Sequence, residues 1–300
     1  MPDDAAARIF TVRDMLRYAV KGFDKAGLYY GHGTHHARDE AAYLILHALR
    51  QPPGELQPNL SRRLDEKEKK VILVFLQQRI EKRVPAAYLT REAWLGDYRF
   101  YVDERVIVPR SFIAELLREK LRPWIARPHK IGAALDLCTG SGCLAVLMAH
   151  TFPNAEIDAS DVSSAALQVA RRNIADYKLS NRVHPVKSDL FKALRGRRYD
   201  LILANPPYVN TRSMRTLPKE YRHEPRIALA GGYDGLDLVR RILQTASRHL
   251  NPNGLLIVEI GHNRKALELA FPKLEFTWLN TSAGDEYVFL LRQKQLVTLP

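Results

Sequence analysis

Cysteine is nearly absent from this chain: Cys138 and Cys143 are the only two among 300 residues. They form no Cys-x-x-Cys pair and belong to no Cys/His cluster at zinc-ligand spacing. Neither a disulfide framework nor a metal centre is therefore expected, and a reducing cytoplasm fits. The adjacent His35 and His36 cannot share a helix face, which suits a surface or capping role better than metal binding. Long apolar runs are also missing. "VILVFL" at 71–76 falls far short of the roughly 20 residues that span a bilayer, and the opening "MPDDAAARIF" lacks the basic and apolar segments of a secretory leader. A soluble cytoplasmic chain with no membrane partner is expected. Acidic residues are outnumbered, 33 against 46 Lys plus Arg, and a net charge of +13 favours an anionic partner or a nucleic-acid-rich assembly. The pyrophosphate pattern G-x-G-x-x-G and the lysine of a P-loop are absent too, which disfavours a dinucleotide or a triphosphate.

What is present divides at Pro85. Residues 1–90 read as a helical domain, with apolar positions at three- and four-residue spacing in "TVRDMLRYAVKGFDKAG", "HHARDEAAYLILHALR" and "DEKEKKVILVFLQQRIEKRV". Thr11 is a candidate N-cap and Gly27 a candidate stop, and "RQPPGELQPNLSRR" is a loop of breakers. Residues 91–110 are aromatic and β-branched around Gly96-Asp97 and Asp103-Glu104, the pattern of a hairpin linker. A helix "SFIAELLREKLRPW" with Ser111 as cap opens the last domain, 111–300. There, "AALDL", "AEIDAS", "RVHPV", "DLILA" and "LLIVEI" alternate for the most part with helical stretches. This predicts an α/β fold with a mostly parallel twisted sheet, whose ligands sit at the carboxyl ends of the strands.

Two strand ends carry candidate chemistry. In "LDLCTGSGCLAVLMA" a strand, a glycine-bearing turn and an apolar helix follow in succession. Gly140 and Gly142 let backbone approach a ligand, and the helix near Cys143 aims its first amides at the same place. Asp161 closes the next strand 25 residues after Asp136, near the spacing of a ribose-binding carboxylate, and Asp189 ends the third. Three strand-end acids around one turn describe a nucleoside pocket. The second end, "DLILANPPYVN", follows an apolar strand with Asn205, Pro206, Pro207 and Tyr208. The two prolines fix their own φ and push Asn205 out of helical dihedrals, so its amide leaves the strand in a set direction.

Together and in this order, "DLCTGSG", Asp161, "SDL" and "NPPY" resemble the class I S-adenosylmethionine methyltransferases, whose NPPY group methylates planar nitrogens. The resemblance implies a Rossmann-like domain that uses S-adenosylmethionine and releases S-adenosylhomocysteine. Asp136 would lie beneath the methionine moiety with Gly140 and Gly142 lining it, Asp161 would bind ribose with Val162 beside it, and Asp189 and Leu190 would flank adenine. Cys138, where the family often has glycine, Thr139 and Asn205 complete the implied cofactor set. An amide nitrogen is a poor nucleophile because its lone pair is delocalised. If the Asn205 side-chain oxygen and the Pro206 carbonyl accept its two hydrogens, the nitrogen is aimed and its developing charge stabilised. Pro207 would hold that geometry and Tyr208 would pack on the planar group.

"RVPAAYLTREAWLGDYRFYVDERVIVPRSFIAELL" and "LPKEYRHEPRIALAGGYDGLDLVRRIL" look like the flanking segments of glutamine N5-methyltransferases. "GHGT", "VPRSFIAELL" and "EYRHEP" are similar to the branch acting on ribosomal protein L-three. That substrate is implied either free or in an RNA-bearing assembly intermediate, without stable DNA binding. The release-factor branch is the nearest alternative, followed by an adenine N6-methyltransferase and by a noncatalytic ribosome-assembly protein. Phe112 stands where the family commonly has proline. Arg110 and Glu115 are candidates for contact with cofactor or substrate or, equally, for a salt-bridged helix start. Glu224 is a candidate brace for the catalytic loop.

Overall fold

A computed structural model describes residues 9–52 and 54–297. The opening residues 1–8, read above as carrying no leader, and Pro53 of the breaker loop lie outside the described residues. The chain forms two units: one runs to Ala93 and includes Pro218–His223, and the other comprises Trp94–Leu217 and the chain from Glu224 onward.

The first unit is built from capped helices. Thr11 and Asp14 form a reciprocal capping box at the start of Val12–Ala26, and Gly27 ends that helix in the left-handed region at φ 57°. Val12, Met15, Leu16, Ala19 and Phe23 form its buried stripe. His36 caps Ala37–Ala48 by accepting from the Asp39 N–H at 3.4 Å, the capping role its sequence position allowed. Asp65 and Glu68 box the start of Glu66–Lys82. That helix buries an arginine: Arg79 is 1% exposed and donates to Glu40 (2.6 Å), Glu220 (3.2 Å) and the Tyr29 carbonyl (2.8 Å). Three acceptors for one guanidinium make its burial tolerable. The breaker loop contains one helical turn, Leu56–Asn59.

A hairpin of β1 (Glu92–Leu95) and β2 (Tyr98–Tyr101) turns at Gly96, where φ is 61°. The second unit carries a seven-stranded sheet in the order β5-β4-β3-β6-β7-β9-β8. Its members are β3 (Ala133–Leu137), β4 (Glu156–Asp161), β5 (Val183–Lys187), β6 (Tyr199–Ala204), β7 (Leu250–Glu259), β8 (Thr277–Thr281) and β9 (Gly284–Arg292). The five strands expected from the alternation are all present and parallel to their neighbours, while β8 and β9 add an antiparallel edge. Pro185 is tolerated because β5 is the outermost strand.

Two expectations are corrected. The helix after the hairpin is short, Ile113–Arg118, with Phe112 and not Ser111 at the N-cap position; the Ser111 hydroxyl, one residue earlier, donates to Glu259 at 2.6 Å and accepts from the Ile113 N–H. Strand β5 stops at Lys187, so Asp189 lies two residues past its end. The one helix-free crossover, from β5 to β6, agrees with helical stretches separating most of the strands.

Strand order reverses between β3 and β6: one half of the sheet runs β3, β4, β5 outward, the other begins β6, β7. Leu137 pairs with Ala204, so the chain leaves both strands side by side at the switch point, where open α/β sheets bind ligands. Among the described residues no helix is long and apolar enough to cross a membrane, and no group of three or more His, Cys, Asp or Glu is arranged to hold a metal ion.

Candidate active site

The turn after β3 is folded around its own carboxylate. Asp136 is fully buried and its Oδ2 accepts from the Thr139 hydroxyl (2.5 Å) and the Ala145 N–H (3.0 Å), which fastens the first turn of helix Cys143–Thr151 to the strand. Its Oδ1 has no hydrogen-bond partner among the described residues. Burial pushes this carboxyl up to about 7. The turn itself needs left-handed backbone at Cys138 (φ 65°), Gly140 (φ 55°) and Gly142 (φ 79°). The two glycines differ in purpose. A Cβ on Gly142 would come within 3.1 Å of Ala170 on helix Ser164–Asp176, whereas one on Gly140 would meet nothing within 4 Å. Gly142 thus permits helix packing, and Gly140 keeps the cavity wall bare.

A cavity of about 790 Å³ opens in front of this turn, lined by Cys138, Gly140, Asp161, Val162, Asp189, Leu190, Asn205 and Pro207 among others. Asp161 accepts from the Gly140 N–H (2.9 Å) and the Ser163 N–H (2.8 Å), and burial raises its carboxyl. Each oxygen keeps a second lone pair for a ligand hydroxyl. Asp189 is held on the cavity rim by Lys192 (2.6 Å) and Arg241 (2.7 Å), whose hydrogen bonds lower its carboxyl. The Ser160 hydroxyl, buried in the same wall, has no hydrogen-bond partner among the described residues.

The loop after β6 places Asn205 half-buried at the cavity, and no hydrogen bond engages its amide among the described residues. Pro206 and Pro207 are buried. Support for Tyr208 comes from a distance. Its carbonyl accepts from Asn263 Nδ2 at 2.8 Å and its hydroxyl reaches Glu259 Oε1 at 3.4 Å. Glu259 is itself buried, accepts from Ser111 Oγ and the Phe112 N–H (2.9 Å), and is pushed by burial up to about 7. Three glycines allow close approach. A Cβ on Gly231 would lie 2.7 Å from Tyr208 Cα, one on Gly235 2.4 Å from the Tyr208 carbonyl oxygen, and one on Gly261 2.7 Å from the Tyr208 ring.

Of the residues singled out in the sequence, Cys138, Gly140, Asp161, Val162, Asp189, Leu190, Asn205 and Pro207 are brought to one cavity. Asp136, Thr139, Gly142, Pro206 and Tyr208 stand behind it as framework. Arg110 and Glu224 pair with each other through both guanidinium nitrogens at 2.5 and 2.6 Å, and Glu224 also accepts from the Val108 N–H. Glu115 accepts from Ser282. The supports Glu259, Gly231, Gly235, Gly261 and Asn263 were not read from the sequence. Their signal is the glycine cluster of "LAGGYDG" and the polar "EIGHN" that follows an apolar strand.

The description "Methyltransferase small domain" matches residues 114–219. A Neisseria meningitidis protein named ribosomal protein uL3 glutamine methyltransferase is 56% identical over 297 residues, 99% of this chain and 98% of that one. A Bordetella pertussis protein of the same name is 51% identical over 99% of this chain and 100% of its own. Among solved structures, the hMettl16 catalytic domain in complex with the MAT2A 3′UTR hairpin 1 superposes with a TM-score of 0.52 at 18% identity, covering 86% of this chain and 94% of that one. At that identity it shares the fold alone. Sequence identity above one half, over nearly the whole of both chains, makes this protein a member of the ribosomal protein uL3 glutamine methyltransferase family.

Proposed function

We propose that this enzyme transfers a methyl group from S-adenosylmethionine to the side-chain amide nitrogen of a glutamine in ribosomal protein uL3. The observation that carries the reading is the register of β3 and β6, which opens the glycine turn and the Asn205 loop onto one cavity. The residues present fit the cofactor. Gly140 leaves open space where a side chain would stand, Asp161 offers acceptors for ribose hydroxyls, and Asp189 with Leu190 lines the portion assigned to the base. When bound, the cofactor supplies an electrophilic methyl on a sulfonium.

The chain's own part is orientation. The Asn205 side-chain oxygen accepts one hydrogen of the substrate amide and the Pro206 carbonyl the other, so the nitrogen faces the cofactor side of the cavity and its growing positive charge meets two fixed acceptors. Tyr208, anchored through Asn263 and Glu259, holds the turn that carries them. The Arg110–Glu224 pair acts behind the site by fixing the chain on both sides of it. The helical domain of residues 1–90, with 91–110 as its linker, is assigned to recognition of the substrate protein. The setting is the cytoplasm, and the basic surplus suits a substrate met within an RNA-bearing assembly intermediate.

The test is incubation with methyl-labelled S-adenosylmethionine and separate pools of ribosomal proteins, release factors and nucleic acid, followed by mass spectrometry. One glutamine of uL3 gaining a methyl group is the expected result. Label confined to a release factor or to adenine would overturn the substrate, and no label in any pool would overturn the activity.

A further inference from the structure

A second cavity, of about 400 Å³, lies beside the first and shares Asp189, Leu190 and Arg241 with it. It lies where the helix-free β5–β6 crossover, residues 188–198, meets Arg241, Thr245 and Arg248. Phe191 and His249, both buried, stack at 4.6 Å and close its base.

Its remaining wall is cationic. Lys192, Arg195, Arg241 and Arg248 line it, and Asp189 is its only carboxylate. Asp189 is shared by Lys192 and Arg241, while Arg195 and Arg248 are exposed and have no ion-pair partner among the described residues. The field reaches the buried ring at the base: His249 is lowered first by burial and then by the charges of Arg198 and Arg248. Three of the four cations are arginines, whose planar forks match phosphate oxygens two at a time. Surplus charge in a concave site concentrates on a partner of opposite sign. Arg195 and Arg248 line this trough and not the first cavity.

We infer that this basic trough binds the phosphodiester backbone of RNA, and so grips the RNA that accompanies the substrate protein. The inference rests on the substrate reading above, but its test does not depend on methyl transfer. The trough takes backbone and not bases, because its two rings are already stacked on each other. Binding is therefore expected to be tolerant of sequence and steeply dependent on salt.

The experiment measures the affinity of the full-length protein for a labelled mixed-sequence single-stranded RNA 20-mer across a salt series, without cofactor. Three proteins are compared: wild type, R195Q/R248Q, and K67Q/K70Q, which removes the same charge from exposed lysines of the helical unit. For single strands each lost phosphate contact lowers the slope of log K against log salt by about 0.7, so R195Q/R248Q is expected to bind roughly 10- to 30-fold more weakly near 0.1 M salt. The K67Q/K70Q protein is expected to stay within about twofold of wild type in RNA binding, and methyl transfer to free uL3 to be unchanged in R195Q/R248Q. No RNA binding by the wild type, equal losses in the two variants, or no loss in R195Q/R248Q would overturn the inference. So would displacement of the RNA by polyglutamate of equal charge as readily as by unlabelled RNA. Failure of uL3 methylation in the wild type, with RNA binding intact, would strike the substrate reading instead.

Discussion

The two loops that meet at the centre of the sheet are stabilised in opposite ways. The loop after β3 holds itself: Asp136, Thr139 and Ala145 lie within ten residues and close on one carboxylate oxygen. The loop after β6 is held by others, since Asn263, Glu259 and three glycines reach Tyr208 from segments far along the chain. The first kind can be built locally. The second has its angle set by surroundings rather than by its own sequence, because two prolines fix φ but not the position of the whole turn.

That contrast is open to attack in order of effect. Asn205→Ala removes the aimed acceptor and is expected to cut turnover by about 10²–10³-fold while cofactor affinity stays within about threefold, read by single-turnover transfer and by titration calorimetry. Wild-type turnover would break the assignment of Asn205. Gly231→Ala tests borrowed support: its Cβ would collide with Tyr208 Cα at 2.7 Å and the Pro207 carbonyl at 2.8 Å. Displacement of the loop by a fraction of an ångström is expected to cost about 10²-fold in turnover, again with cofactor binding retained.

The buried carboxylates give a pH test. The Asp136 carboxyl sits at about 7 against 3.8 for a free side chain, so folding favours its protonated form. Its stabilisation is complete below the unfolded value and drains as pH rises through the folded one. Glu259 follows the same sign, from 4.5 to about 7. Denaturation midpoints of the wild type are expected to decline between pH 5 and pH 8 relative to Asp136→Asn, in which that contribution is gone. Parallel curves for the two proteins would remove Asp136 from the account. The smallest effect concerns Cys138, a non-glycine residue at φ 65°. Cys138→Gly is expected to leave turnover intact and to change stability by no more than about 1 kcal/mol, in the favourable direction, by urea unfolding.

What was legible in the sequence follows the same division. Thr11, Gly27 and the five parallel strands could be read because caps and apolar runs act over a few residues. Strands β8 and β9 escaped because their alternation is mixed with polar positions exposed at the sheet's edge. Ser111 looked like the cap of its helix, but the N-cap falls one residue later at Phe112, and the Ser111 hydroxyl also bonds Glu259, 148 residues away. Arg79 went unread, since nothing near it in sequence announced two buried carboxylates as partners. Asn205 and the acids of the cavity could be named from spacing, but the framework that aims Asn205 lies in long-range contacts.

The partnership of Arg79 with Glu220 also sets a schedule. The helical unit is complete only when Pro218–His223 arrives, 125 residues after Ala93 counting to Pro218. At about 5–20 residues per second, synthesis leaves the helices between Val12 and Lys82 waiting roughly 6–25 s with a guanidinium inside that has one of its two carboxylates still unmade. A nascent chain paused before residue 218 is therefore expected to present a protease-sensitive amino-terminal half. For the same reason, a gene fragment ending at the first domain boundary is a poor vehicle for that domain, and the two halves of this enzyme are not free to be shuffled as separate modules.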